Sequence, residues 1–273
     1  MAVIDKGIGI EKQGAQRMWA AGNYAVVGQL LVEAALRLIS AAGVRPGMSV
    51  LDVATGTGNV AIPAAKMGAS VTGLDLTPEM LDKAHARARA ADAQVDWVLG
   101  DAEQLPFPDE SFDVVLSTFG VQFAPDQQRA AAELWRVCKP GGSIGLCCWT
   151  PEGVAGRYIS LLGRHLGGRS DGPAPTDWGC EQPVRELFSD SGAELTFERD
   201  HVLAAWGSLD ESVTFLEDNY GCAITARQML EPAGRWPSLR SDICDLFASS
   251  NQAADGSLLL AEEYLRTIVR KPL

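Results

Sequence analysis

The spacing of apolar residues changes period many times along the chain, and the changes predict strands alternating with helices. A helical pattern runs through Val27, Leu30, Leu31, Ala34 and Leu38 until Gly43, Pro46 and Gly47 stop it. The apolar, β-branched run Ser49-Val50-Leu51-Asp52-Val53 reads as a first strand, followed by the turn Ala54-Thr55-Gly56-Thr57-Gly58 and a short helix over 61–67. Residues 70–75 form a second strand that ends in an acid. Thr77, Pro78 and Glu79 then supply an N-cap, a first-turn proline and an early acid for a helix to about Ala91. Alternation at Val95, Trp97 and Leu99 predicts a third strand, 113–118 a fourth and 143–149 a fifth. A helix over 125–138 and a tight turn at Lys139-Pro140-Gly141-Gly142 precede the fifth strand. Residues 1–15 show no period and read as a loose lead-in.

After Trp149 the rhythm breaks. Residues 151–192 are rich in glycine and proline, with one helix expected over 181–189. A sixth strand follows over 193–206, helices over 209–220 and 237–249, and a last strand over 258–269. The turn Ala254-Asp255-Gly256 suggests that the last two strands pair antiparallel. The prediction is a doubly wound α/β fold, with a seven-stranded, mostly parallel sheet, an antiparallel last strand and a helical lid. It divides into a lid (1–48), a cofactor-binding core (49–150), a substrate-side insertion (151–192) and a C-terminal part completing the sheet (193–273).

Composition narrows the class of partner. The chain has 273 residues, 23 lysines and arginines against 35 acids, and a net charge of −12. That balance disfavours nucleic acid, whose binding is dominated by basic contacts. No apolar run approaches the roughly 20 residues that span a bilayer, and no signal peptide is visible, so a cytoplasmic protein without a membrane partner is expected. Six cysteines lack metal-type spacing, so buried thiols and no metal are expected. Oligomeric state is not readable.

The chemistry-bearing positions fall in register. Asp52, Gly56 and Gly58 surround the first turn, Asp75 ends the second strand, Gly100-Asp101 ends the third, and Lys139-Pro140-Gly141-Gly142 precedes the fifth. Acids at the carboxyl ends of parallel strands sit where open α/β sheets bind ligands. Asp75 stands where a carboxylate can accept from both hydroxyls of a ribose.

These motifs, with Met18-Trp19…Gly22-x-Tyr24, resemble the class I S-adenosylmethionine (SAM)-dependent methyltransferases, a Rossmann-like family. The likeness is to the group around the quinone C-methyltransferases (methyltransferase type 11) and to uncharacterised actinobacterial proteins of that type. The resemblance implies SAM as cofactor and a role for several positions. Asp52 and the backbone from Ala54 to Gly58 would serve the methionyl end, and Asp75 the ribose. Leu76 and Met80 would flank the adenine, Asp101 and Ala102 would meet its edge, Ser117 would floor the methionine, and Tyr24 would close over the cofactor. Ala54 stands where many members have glycine.

The acceptor is read from aromatic content. Trp19, Phe119, Phe123, Trp178 and Tyr220, with Trp149 and Tyr158, are candidates for the wall of a pocket for a small aromatic or lipophilic molecule. Of the three histidines, His165, near Arg164 and Arg169, is the one candidate general base. An NAD(P)-dependent oxidoreductase and a non-catalytic SAM-binding protein are the alternatives.

Overall fold

The computed structural model describes residues 10–167 and 172–273. Its strands are β1 (Ser49–Val53), β2 (Ser70–Asp75), β3 (Asp96–Leu99), β4 (Phe112–Thr118), β5 (Cys138–Trp149), β6 (Glu194–Trp206) and β7 (Leu258–Arg270). They form a seven-stranded sheet in the order β3-β2-β1-β4-β5-β7-β6. Pairs from β3 through to β5 are parallel, and β7 runs antiparallel to both β5 and β6. The alternating pattern predicts this sheet, including its antiparallel last strand. Because the chain passes from β1 to β2 on one side and later to β4 on the other, a crevice opens at the carboxyl end of β1.

The helices are α1 (Ile10–Ala21), α2 (Tyr24–Leu30), α3 (Val32–Ala42), α4 (Ala61–Lys66), α5 (Pro78–Ala90) and α6 (Gln127–Val137). After the fifth strand come α7 (Val154–Leu166), α8 (Glu181–Leu187), α9 (Leu209–Asn219), α10 (Gly221–Leu230) and α11 (Trp236–Ser250). Helices cover both faces of the sheet, which is why β1 is buried from Val50 to Val53 and carries a nearly unbroken apolar run. On one face Val50, Val114 and Leu116 pack against Leu38 and Ile39 of α3 and Ala61 and Ala64 of α4. On the other, Leu51, Val53 and Val115 pack against Ala130 and Leu134 of α6. A third core joins Tyr158, Leu162, Val213, Leu239 and Ile243, from α7, α9 and α11, to Leu258 and Leu260 of β7. This helical cap stands over the crevice.

Five segments differ from expectation. Residues 10–15, expected to be loose, belong to α1, which draws its order from neighbours rather than from an apolar stripe of its own. The helix expected through Leu38 is two helices, α2 and α3, bent by 62° at Leu31. The glycine-rich stretch after Trp149 contains α7, and the unassigned residues after Tyr220 form α10. Lys139–Gly142 is not a turn before β5 but an irregularity within it: the pairing with β4 shifts between Phe112 and Val114. It lies at the amino end of the strands, where Lys139 bonds Asp113 (2.8 Å) and Ser49 Oγ (3.0 Å), away from the crevice. Among the described residues no single helix is long and apolar enough to cross a membrane.

Candidate active site

The turn after β1 is held by its own acids. The Asp52 carboxylate accepts the Thr55 hydroxyl and the Ala61 N–H (3.1 Å), and burial pushes its pKa up to about 7. The Asp75 carboxylate, at the end of β2, accepts the Gly56 N–H (2.7 Å) and the Thr77 N–H (2.9 Å). Burial raises its pKa too. Each carboxylate oxygen has a second lone pair, so Asp75 can still accept from a ligand lying over the turn.

Ala54 has φ +54°, the left-handed region that costs a residue with a Cβ about 1–2 kcal/mol. The methyl is tolerated because Gly120, in the turn after β4, faces it. A Cβ on Gly120 would lie 2.4 Å from the Ala54 Cβ. Gly56 is also left-handed, at φ +55°, and a Cβ there would meet nothing within 4 Å, so open space stands over the turn.

Asp101, after β3, is clasped by Lys12 of α1, whose ammonium also reaches Glu103 at 2.6 Å. Gln16 donates to the Leu76 carbonyl (2.7 Å) and Lys83 to the Gly22 carbonyl (3.0 Å). Asn59 donates to the Gly28 carbonyl (2.7 Å), and Arg87 reaches Thr57 and Asn59. α1 and α2 are thus fastened over the turn and the ends of β2 and β3.

These elements enclose a cavity of about 310 Å³. One end is lined by Asp52, Ala54, Gly56, Asp75, Leu76, Met80, Asp101 and Ala102, all predicted for the cofactor, and Tyr24 joins them from α2. The other end is aromatic. Phe119 stacks on Trp149 with centroids 3.8 Å apart, Trp19 meets Phe123 edge-on at 4.9 Å, and Tyr24 and Tyr220 lie 6.5 Å apart. The Tyr24 hydroxyl accepts the Gly221 N–H (3.3 Å), which ties α2 to α10.

Several predicted positions lie elsewhere. Ser117 is fully buried, donates to the Val53 carbonyl (2.7 Å) and accepts the Val121 N–H (3.0 Å). It braces the turn from beneath and does not line the cavity. Gly58 is likewise off the cavity, with a would-be Cβ between Ile62 and Trp97. Trp178 is 1% exposed and packs in the core on the α6 face. His165 sits at the end of α7, bonded to Asp242 (2.7 Å), so the one proposed histidine base is remote from the site. Arg169, named beside it, lies outside the described residues.

Conversely, pattern reading did not single out Lys12, Asn59, Trp206, Phe215, Cys222 or Glu262, all of which line the cavity. Glu262 had a visible signal: an acid in line, at every second residue, with Leu258, Leu260 and Tyr264 of the same strand. Burial pushes its pKa up to about 7.

A family profile described as "Methyltransferase domain" matches residues 51–146, from β1 into β5. An uncharacterised protein of Mycobacterium tuberculosis is 44% identical over 214 residues, covering 77% of this chain and 78% of its own. The demethylmenaquinone methyltransferase of Deinococcus radiodurans is 40% identical over 121 residues, 43% of this chain and 50% of that protein. Among solved structures, the YcgJ protein of Bacillus subtilis superposes with a TM-score of 0.62 at 19% identity, covering 88% of this chain and 99% of its own, and so shares the fold. The strand-end acids and the open glycine turn are a donor set suited to an adenosyl ligand with an aminoacyl tail, and the chain belongs to the SAM-dependent methyltransferases.

Proposed function

We propose that the protein transfers the methyl group of SAM to a small, aromatic or lipophilic organic acceptor. The observation that carries this reading is one continuous cavity with a polar end at the strand-end acids and an aromatic end under the helical cap. In that arrangement Asp75 holds the ribose hydroxyls, Leu76 and Met80 flank the adenine, and Asp101 with Ala102 meets its edge. The described part of the N-terminal segment, α1 to α3, acts as the lid, with Tyr24 closing over the cofactor. The aminoacyl tail lies along the turn from Ala54 to Gly56, directing the sulfonium methyl toward Phe119 and Tyr220.

Methyl transfer from a sulfonium is an in-line displacement, so the protein's main task is to align donor and nucleophile and to exclude water. The aromatic walls do both. Of the charged groups lining the cavity among the described residues, four are acids (Asp52, Asp75, Asp101 and Glu262) and one is a lysine, Lys12, already engaged by Asp101 and Glu103. Such a field favours binding of the cationic donor.

The test is transfer of labelled methyl from SAM to a panel of phenols, quinols, hydrophobic amines and a nucleic acid. Label in the aromatic small molecules is expected. Label in nucleic acid alone overturns the reading.

A further inference from the structure

Two adjacent acids on β7 have opposite fates. Glu263 is engaged: its carboxylate accepts the Thr150 hydroxyl (2.9 Å) and pairs with Arg199 (2.6 Å). Glu262 points to the other face of the strand, in line with Leu258, Leu260 and Tyr264. There it lines the cavity with Leu260, Tyr158, Tyr220 and Cys222, and among the described residues its carboxylate has no hydrogen bond or ion pair. Among the described residues, the titratable groups that share this part of the cavity are Tyr220, Tyr158, Tyr24 and Cys222, each with its pKa raised by burial; the charged Glu263–Arg199 pair lies on the other face of the strand. A carboxylate facing an apolar cavity without a partner lowers stability unless a bound molecule supplies the partner.

Resting on the aromatic-acceptor reading above, we propose that Glu262 is the catalytic base for an acceptor bearing an acidic hydroxyl, of phenol or enol type. The acceptor donates its O–H to the Glu262 carboxylate, and the proton passes to that oxygen as the nucleophile attacks. The electron pair of the acceptor forms the new bond to the methyl carbon, and the carbon–sulfur bond breaks with its pair going to sulfur. The products are the methylated acceptor, the neutral thioether S-adenosylhomocysteine and a protonated Glu262, which returns its proton to water. Where the methyl lands instead on a ring carbon activated by that ionisation, Glu262 returns its proton to the oxygen and the proton of the methylated carbon leaves to water as the ring regains its aromaticity.

Three features select this role over a structural one. The side chain lies at the aromatic end of the cavity, apart from Asp75 and Asp101. Among the described residues no histidine lines the cavity to compete for the proton. Burial holds the carboxyl near neutrality, where a base is most effective.

The test compares wild type with Glu262→Gln on 2-naphthol, which is un-ionised near pH 8, and on 4-nitrophenol, which is ionised there. Turnover is followed with labelled SAM, and S-adenosylhomocysteine binding is the control for folding and the donor site. Loss of the base is expected to lower kcat on 2-naphthol by ~100-fold or more while leaving 4-nitrophenol within about threefold, with the thioether bound equally well. Glu262→Asp is expected to recover part of the 2-naphthol rate. Equal loss on both phenols, or loss on neither, overturns the base assignment while leaving the aromatic-acceptor reading intact. If wild type binds S-adenosylhomocysteine but methylates neither phenol, the aromatic-acceptor reading fails and the base assignment falls with it.

Discussion

The two ends of the cavity are built in different ways. The donor end is made by backbone: the turn from Ala54 to Thr57, held by the Gly56 and Thr77 N–H groups on Asp75, and acids at the ends of β2 and β3. Its parts lie close together in sequence, and the sheet sets their positions. The acceptor end is made by side chains that converge from far apart: Trp19, Phe119, Trp149, Tyr158, Tyr220 and Glu262. Backbone geometry forces particular residues at particular spacings, whereas a wall of side chains can be assembled from many. The donor end therefore names its ligand, and the acceptor end defines only size and polarity.

The largest expected effect tests the donor end. Asp75→Ala removes the acceptor of two backbone N–H groups and of the proposed ribose contacts. It is expected to weaken SAM binding by about 3 kcal/mol, roughly 100-fold in Kd, read by calorimetry. Unchanged affinity would break the distinction, because the donor end would not then depend on its strand-end acid.

A smaller effect tests whether the two turns are fitted to each other. Gly120→Ala puts a methyl 2.4 Å from the Ala54 Cβ and 2.9 Å from its carbonyl, and is expected to lower stability by about 1–3 kcal/mol. Ala54→Gly in the same chain removes the first clash and relieves the left-handed alanine, so the double variant should unfold nearer the wild-type midpoint. Additive losses in the double variant would show that the sites are independent.

Burial of two acids gives a pH signature. Asp52 and Glu262 are both raised to about 7, from ordinary values of 3.8 and 4.5. Between those limits the folded chain holds protons that the unfolded chain has released, so these groups stabilise most at low pH. Their contribution falls as pH rises toward about 7 and is level above it. Urea unfolding at several pH values should show this slope, and Glu262→Gln should flatten it. A Gln variant with the full wild-type slope would place Glu262 in water.

The smallest effect is at the lid. Lys12→Ala opens the clasp on Asp101, which is partly buried, and on Glu103, which is buried. Cofactor affinity is expected to change by about threefold to fivefold. A change as large as that of Asp75→Ala would make the lid, not the turn, the main holder of the donor.

Legibility in the sequence follows the same division. The succession of strands, the turn and the placing of acids 75 and 101 at strand ends were readable because period, glycine and strand-end acids have local causes. The helices α7 and α10 were not, because their glycines look like loop formers. Gly156 instead lets α7 approach β5, since a Cβ there would lie 2.0 Å from the Thr150 carbonyl oxygen. Gly221 does the same for α1 and α10, with a would-be Cβ 2.0 Å from the Met18 carbonyl oxygen. Trp178 and His165 were drawn to the site by residue type alone, and tertiary placement took them to the core and to the end of α7. Glu262 was passed over because its meaning depends on which face of β7 meets the cavity.

The most direct measurement is a crystal structure with S-adenosylhomocysteine and 2-naphthol bound. The account predicts the ribose on Asp75, the sulfur opening toward Phe119 and Tyr220, and the naphthol hydroxyl donating to Glu262. A ribose away from Asp75, or a sulfur turned from the aromatic end, would contradict it.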